Sequence, residues 1–189
     1  GTGAGWKYIN ATIDNVHVYN RVLSAAEVKR LYNLGAAKLN ASSRTLQSGS
    51  TLASGLVGHW TFDGPDTIST IADKSGQGNN GSFVGGATSS AKVIGKLGQA
   101  LTFNLTNSQY AKLDPSAQII DAHNFTMSMW VKTTANTVDA FPFALGSSTT
   151  TNPIVGFRTN FSLNRAMSFL FRSDSNGGTL EGSVDTAGI

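Results

Sequence analysis

The chain has 189 residues, 40% of them hydrophobic and only 13% charged, with 21 glycines, four prolines and no cysteine. That length suits one domain plus a connecting segment, and the missing cysteine excludes a disulfide framework, a thiol nucleophile and any thiolate-held metal. The formal charge of +3 is uneven, because residues 1–55 hold six Lys/Arg against two acids while residues 56–189 hold eight against nine; the larger part therefore lacks the basic stripe that nucleic-acid binding needs, and no apolar run is long enough for membrane insertion.

In chain order, the first predicted element is a strand over residues 11–19, in which Ile13, Val16 and Val18 are the apolar positions and Asp14-Asn15 marks an interruption. A helix follows. Ser24 with Glu27 three residues later forms a capping box, Leu23 and Val28 flank it as a hydrophobic staple, and Gly35 supplies a stop. Val28, Leu31 and Tyr32 share one face, which is the face expected to dock. Residues 36–55 are small and polar without a sustained period, the mark of a linker.

From residue 56 the pattern becomes β. Strands are predicted at 57–62, 81–84, 100–104, 110–113, 125–133, 143–146, 154–159, 167–172 and 179–184, separated by Gly/Asn/Ser turns. In the 125–133 segment Phe125, Met127, Met129 and Val131 alternate with Thr126, Ser128, Trp130 and Lys132. Short strands at this spacing predict an all-β, two-sheet sandwich with one short helix near the N-terminus.

Four motifs then carry a resemblance. Gly58-His59-Trp60-Thr61-Phe62-Asp63-Gly64, the run from Asp73-Lys74-Ser75-Gly76 to Asn80-Gly81-Ser82, Gly98-Gln99-Ala100-Leu101-Thr102-Phe103, and Phe125 to Lys132 together resemble the front of a laminin G-like, concanavalin A-like jelly-roll domain. The stretch from Ile13 to Glu27 resembles the closing strand and helix of such a domain, so residues 1–35 look like the end of one domain and residues 56–189 like the main part of another. Three arrangements fit this order: an excerpted repeat of a larger surface protein, a permuted sandwich closed by its own N-terminal segment, or a subunit of a head-to-tail filament made by strand donation. In the last of these, Ile13, Val16 and Val18 fill the groove while Val28, Leu31 and Tyr32 dock the helix.

For chemistry, Asp14, Asp63 and Asp73 offer hard oxygen ligands, and the loop holding Asn80 can add an amide oxygen and carbonyls. The plainer reading gives Asp73 to a turn cap and leaves Asp63 in solvent at a strand end. The resemblance implies a structural calcium on Asp63 and Asp14. It also implies an extracellular or cell-surface adhesion and assembly module whose partners are copies of itself or adjacent repeats, or alternatively a carbohydrate-binding module using the loop aromatics Trp6 and Phe141. An enzyme is not expected: the only glutamates are Glu27, used by the helix cap, and Glu181, which stands alone, so no carboxylate pair suits glycoside hydrolysis. His17, His59 and His123 are widely separated in sequence and read as structural.

Overall fold

The computed structural model describes residues 8–36, 51–87, 90–113, 124–133, 140–146, 153–160, 166–172 and 179–184. The elements in these segments are antiparallel strands, one α-helix and two single 3-10 turns, so the chain is all-β as expected. It divides into two compact units, one built on Thr12–Phe103 with Gln109–Lys132, the other on Gly1–Ala11, Asn104–Ser108 and Thr133–Ile189.

The first unit holds all but the first residue of β1 (Ala11–Tyr19), α1 (Ala25–Ala36), β2 (Leu56–Trp60), β3 (Gly81–Val84), β4 (Lys92–Ile94), β5 (Gln99–Phe103), β6 (Tyr110–Leu113) and most of β7 (Thr126–Thr133). One sheet runs β2-β1-β5-β4, with β7 also paired to β1, while β3 and β6 form a separate antiparallel ribbon. β1 is therefore an interior strand. It lines up antiparallel with β2 through Val16↔Trp60, His17↔His59 and Val18↔Gly58, with a register shift before Tyr19. Because it is covered on both faces, seven of its nine residues are buried and the polar–apolar alternation of a surface strand is lost. The expected interruption falls at Asn15, which takes a left-handed φ of 54° without ending the strand.

The second unit contains β8 (Ala140–Gly146), β9 (Pro153–Asn160), β10 (Ala166–Arg172) and β11 (Thr179–Val184), paired as an antiparallel meander in the order 11-10-9-8. All these pairings are between strands adjacent in sequence, the cheapest kind to close.

α1 begins as the sequence dictates. The Ser24 amide donates to Glu27 Oε2 at 2.9 Å and Ser24 Oγ accepts from the Glu27 amide at 3.4 Å. Arg21 reaches the same carboxylate with both terminal nitrogens, at 2.7 and 3.1 Å, and its Nε donates to the Ser54 carbonyl at 2.8 Å. Those hydrogen bonds from Arg21 hold the Glu27 carboxyl down at about 2.

Several local expectations need correction. The helix buries Leu31, Leu34 in part and Gly35, the i, i+3, i+4 row, whereas Val28 and Tyr32 are 50% and 60% exposed. The Arg21–Glu27 clamp fixes the helix start, and the Trp130 indole lies so close to Gly35 that a Cβ there would collide with it. Gly35 accordingly sits inside the helix, where its bare Cα admits a ring, and does not stop it. Of the expected linker, residues 37–50 lie outside the described residues, and its last part is structured: Thr51–Ala53 forms a 3-10 turn, and Leu52 is fully buried among Tyr19, Leu23, Leu31 and Leu56. β2 ends at Trp60, short of the expected residue 62, as Phe62 adopts φ 61°. β4, only three residues long and with Ile94 86% exposed, gave too short a pattern to read.

Candidate functional site

The chemistry-bearing residues of the first unit gather where β1 meets β2 and the β4–β5 turn. Asp14 is 2% exposed, and its Oδ2 accepts the amides of Lys96 at 2.7 Å and Leu97 at 2.8 Å. Its Oδ1 is buried with no hydrogen-bond partner. Asp63, three residues beyond β2, accepts the Gln99 amide on Oδ1 at 2.7 Å. The two carboxylates thus hold one hairpin turn, residues 95–99, from two directions. Glycine is required there, since Gly98 has φ 62° and any Cβ would strike the Asp63 carboxylate. Burial above all, together with the like charge of Asp63 and against the pull of the two amides, pushes the Asp14 carboxyl up to about 6.

This donor set suits a hard cation in part. Asp14 contributes a desolvated oxygen with no proton donor facing it, and Asp63 a second carboxylate close enough to be felt; carbonyl or water oxygens would complete a calcium shell of six to eight. Among the described residues no group of three or more His, Asp or Glu side chains converges for a metal. Asp73 and Asn80 are drawn into their own loop. Asp73 Oδ1 accepts the His59 and Ser75 amides at 2.9 and 2.8 Å, and its Oδ2 accepts the Ser75 hydroxyl and the Asn79 amide at 2.7 and 2.9 Å. Asn80 Oδ1 accepts the Asp73 amide at 2.9 Å. The turn-cap reading of Asp73 describes this geometry; the strand-end reading of Asp63 does not.

Two of the histidines, far apart in sequence, are stacked. The His17 and His59 rings lie 4.1 Å apart at 15°, directly across the β1–β2 pairing. The His17 Nδ1 hydrogen-bonds the Asn15 carbonyl at 3.1 Å, and His59 Nε2 the Asn15 side-chain oxygen at 2.8 Å. One kinked residue therefore serves both rings. Sequence reasoning missed this pair and the role of Asn15, because only the register of β1 on β2 reveals them. His123 lies outside the described residues.

Of the assembly residues, Ile13, Val16 and Val18 are buried in β1 and Leu31 in the helix, while Val28 and Tyr32 face outward. Tyr32 still leans on Trp130, with ring centroids 5.7 Å apart, and Lys96 Nζ sits 5.2 Å over the same indole. Thr126, four residues before Trp130, accepts the Leu23 amide at 3.0 Å and donates to the Arg21 carbonyl at 2.8 Å. The Thr126–Trp130 face of β7 is thus the one that meets the N-terminal segment. Trp6 lies outside the described residues, and of Phe141 only its place in β8 is described. Comparison with protein-family models, with curated proteins and with solved structures returns no match to this chain.

Proposed function

We propose that the chain is a non-catalytic adhesion and assembly module of the extracellular kind, a laminin G-like jelly roll whose sheet is completed by the strand–helix segment 8–36. That segment can be supplied by its own chain or by a neighbouring copy. The observation that carries the reading is the position of β1: the first strand in sequence lies inside the sheet, paired to β2, β5 and β7, and continues into a helix held by Thr126 and Trp130. A sheet built this way has an open slot wherever β1 is absent, and any identical β1 fits it with the same hydrogen bonds and the same buried Ile13, Val16 and Val18. Glu27, one of the two glutamates, is committed to the helix cap and to Arg21, which favours a structural over a catalytic role.

A structural calcium on Asp14 and Asp63 belongs to the same reading. The ion would neutralise the two carboxylates and so tie β1 to the β4–β5 turn, making closure of the slot calcium-dependent. The test is light scattering on the full chain across a range of concentrations, with calcium and with a chelator. A concentration-dependent ladder of oligomers supports exchange of the segment between copies, and a monomer under every condition removes it. Chains with Val18→Asp, which cannot seat their own β1, should be restored to cooperative unfolding by a peptide of residues 8–36; failure of that rescue would count against a separable segment.

A further inference from the structure

We propose that the stacked His17–His59 pair makes the β1–β2 junction an acid-operated latch, which holds β1 and α1 in place when both rings are neutral and releases them when the rings take up protons. This rests on the reading of segment 8–36 as separable, and it adds the condition under which separation occurs.

The geometry supplies the argument. A carbonyl can only accept, so His17 must carry its proton on Nδ1 to bond the Asn15 carbonyl, and His59 must carry its proton on Nε2 to bond the Asn15 side-chain oxygen. In its neutral form each ring is thereby held in a single tautomer. A further proton must enter at His17 Nε2 or His59 Nδ1, which places a cation in a stack with centroids 4.1 Å apart, and a second proton sets two cations face to face. His17 is 4% exposed, so water cannot screen that charge.

The surroundings do not undo this. The acids Asp73 and Asp66, in the segment following β2, draw a proton toward His59, and Lys74 in the same segment opposes them. On β1 the next ring is Tyr19, stacked 6.3 Å from His17. Burial prevails at both sites and pushes His17 down to about 3 and His59 down to about 4. In the released state each ring regains its ordinary value near 6.5, so release takes up protons as the pH falls from about 6.5 toward 4. Asp14 works against the latch, since its raised carboxyl takes up a proton in the closed state in the same range.

The experiment is hydrogen exchange of the intact chain, read by mass spectrometry over β1, α1 and the β3–β6 ribbon at pH 7.5 and pH 5 and corrected for the intrinsic chemical rate. From pH 7.5 to 5 the two histidines raise the opening constant about thirtyfold each and Asp14 returns about tenfold, so the net rise expected in β1 and α1 is about a hundredfold. The histidine-free β3–β6 ribbon should change much less. His17→Gln with His59→Gln should abolish the rise, and His17→Phe alone, which keeps a flat ring on His59, should remove only its own share. An unchanged opening constant in the wild type, or a rise that persists in the double variant, overturns the latch. Should the double variant not fold, His17→Phe and His59→Gln as single changes make the same test. Light scattering at pH 5 separates the two proposals: opening without exchange between copies would retain the latch and remove the assembly reading.

Discussion

Two glycine-containing turns in the first unit are organised by carboxylates, and they differ in where the carboxylate comes from. In the turn at residues 73–81 the collecting acid, Asp73, belongs to the turn itself, and its two oxygens accept from three amides and a hydroxyl. In the turn at residues 95–99 the acids are Asp14 and Asp63, which come from 82 and 36 residues away. Asp73 remains partly exposed, whereas Asp14 is buried with one oxygen unpaired. A local acid satisfies a turn completely because the chain can adjust around it. Distant acids are placed by the fold and cannot all be satisfied, and the residual imbalance is what makes the second turn a binding candidate.

The largest effect should come from the self-contained turn. Asp73→Ala leaves three amides without their acceptor and loosens the loop from β2, so urea unfolding should show a loss of about 2–4 kcal/mol with or without calcium. If the variant is as stable as the wild type, Asp73 is not what organises that turn.

Calcium should distinguish the two turns next. At a hundredfold excess over its dissociation constant, the ion should stabilise the wild type by about 2.7 kcal/mol, read as a rise in Tm. Asp14→Asn should lose that response and, without calcium, stay within about 1 kcal/mol of the wild type, since the amide oxygen still accepts from Lys96 and Leu97 and the like-charge repulsion is gone. A calcium response that survives in Asp14→Asn but disappears in Asp73→Ala would move the site to the other turn.

The pH dependence sharpens the same contrast. Asp14 in the calcium-free fold sits at about 6, above its ordinary 3.8. The folded state therefore binds the proton first as pH falls, and the contribution of Asp14 to stability is fully present below 3.8 and lost as pH rises through about 6. The histidine pair acts in the opposite direction over an overlapping range. Asp14→Asn should consequently lose stability more steeply than the wild type between pH 6 and 4, by up to about 1.4 kcal/mol per pH unit, in urea midpoints taken at each pH.

The smallest contrast lies in the glycines. Gly98→Ala meets both a left-handed backbone and the Asp63 carboxylate, while Gly76→Ala has φ 88° but open space around it. The first should cost about 1–2 kcal/mol more than the second, measured as a difference in chemical unfolding. Equal losses would mean that backbone strain alone governs both positions.

Much of the local structure was legible in the sequence. The capping box of Ser24 and Glu27 appeared where it was expected because its partners are three residues apart and no distant contact is needed. The same holds for the turn around Asp73. Burial was harder to read: Val28 and Tyr32 share an apolar face, yet the helix is turned by Arg21 and Trp130 so that Leu31, Leu34 and Gly35 face inward. Asp14 and Asp63 could be named from the resemblance, but not their shared turn, since Lys96 and Leu97 contribute only backbone amides and leave no trace in residue type.

The sequence by itself determined what depends on neighbours along the chain: the strands of β character, the capped helix, the polar turns, and the exclusion of thiol chemistry. Tertiary structure alone decided that β1 lies inside the sheet, that His17 stacks on His59, and that Asp14 keeps an unpaired oxygen. Each of these depends on register between segments tens of residues apart, and a shift of one residue along a strand would turn every one of those side chains to the other face.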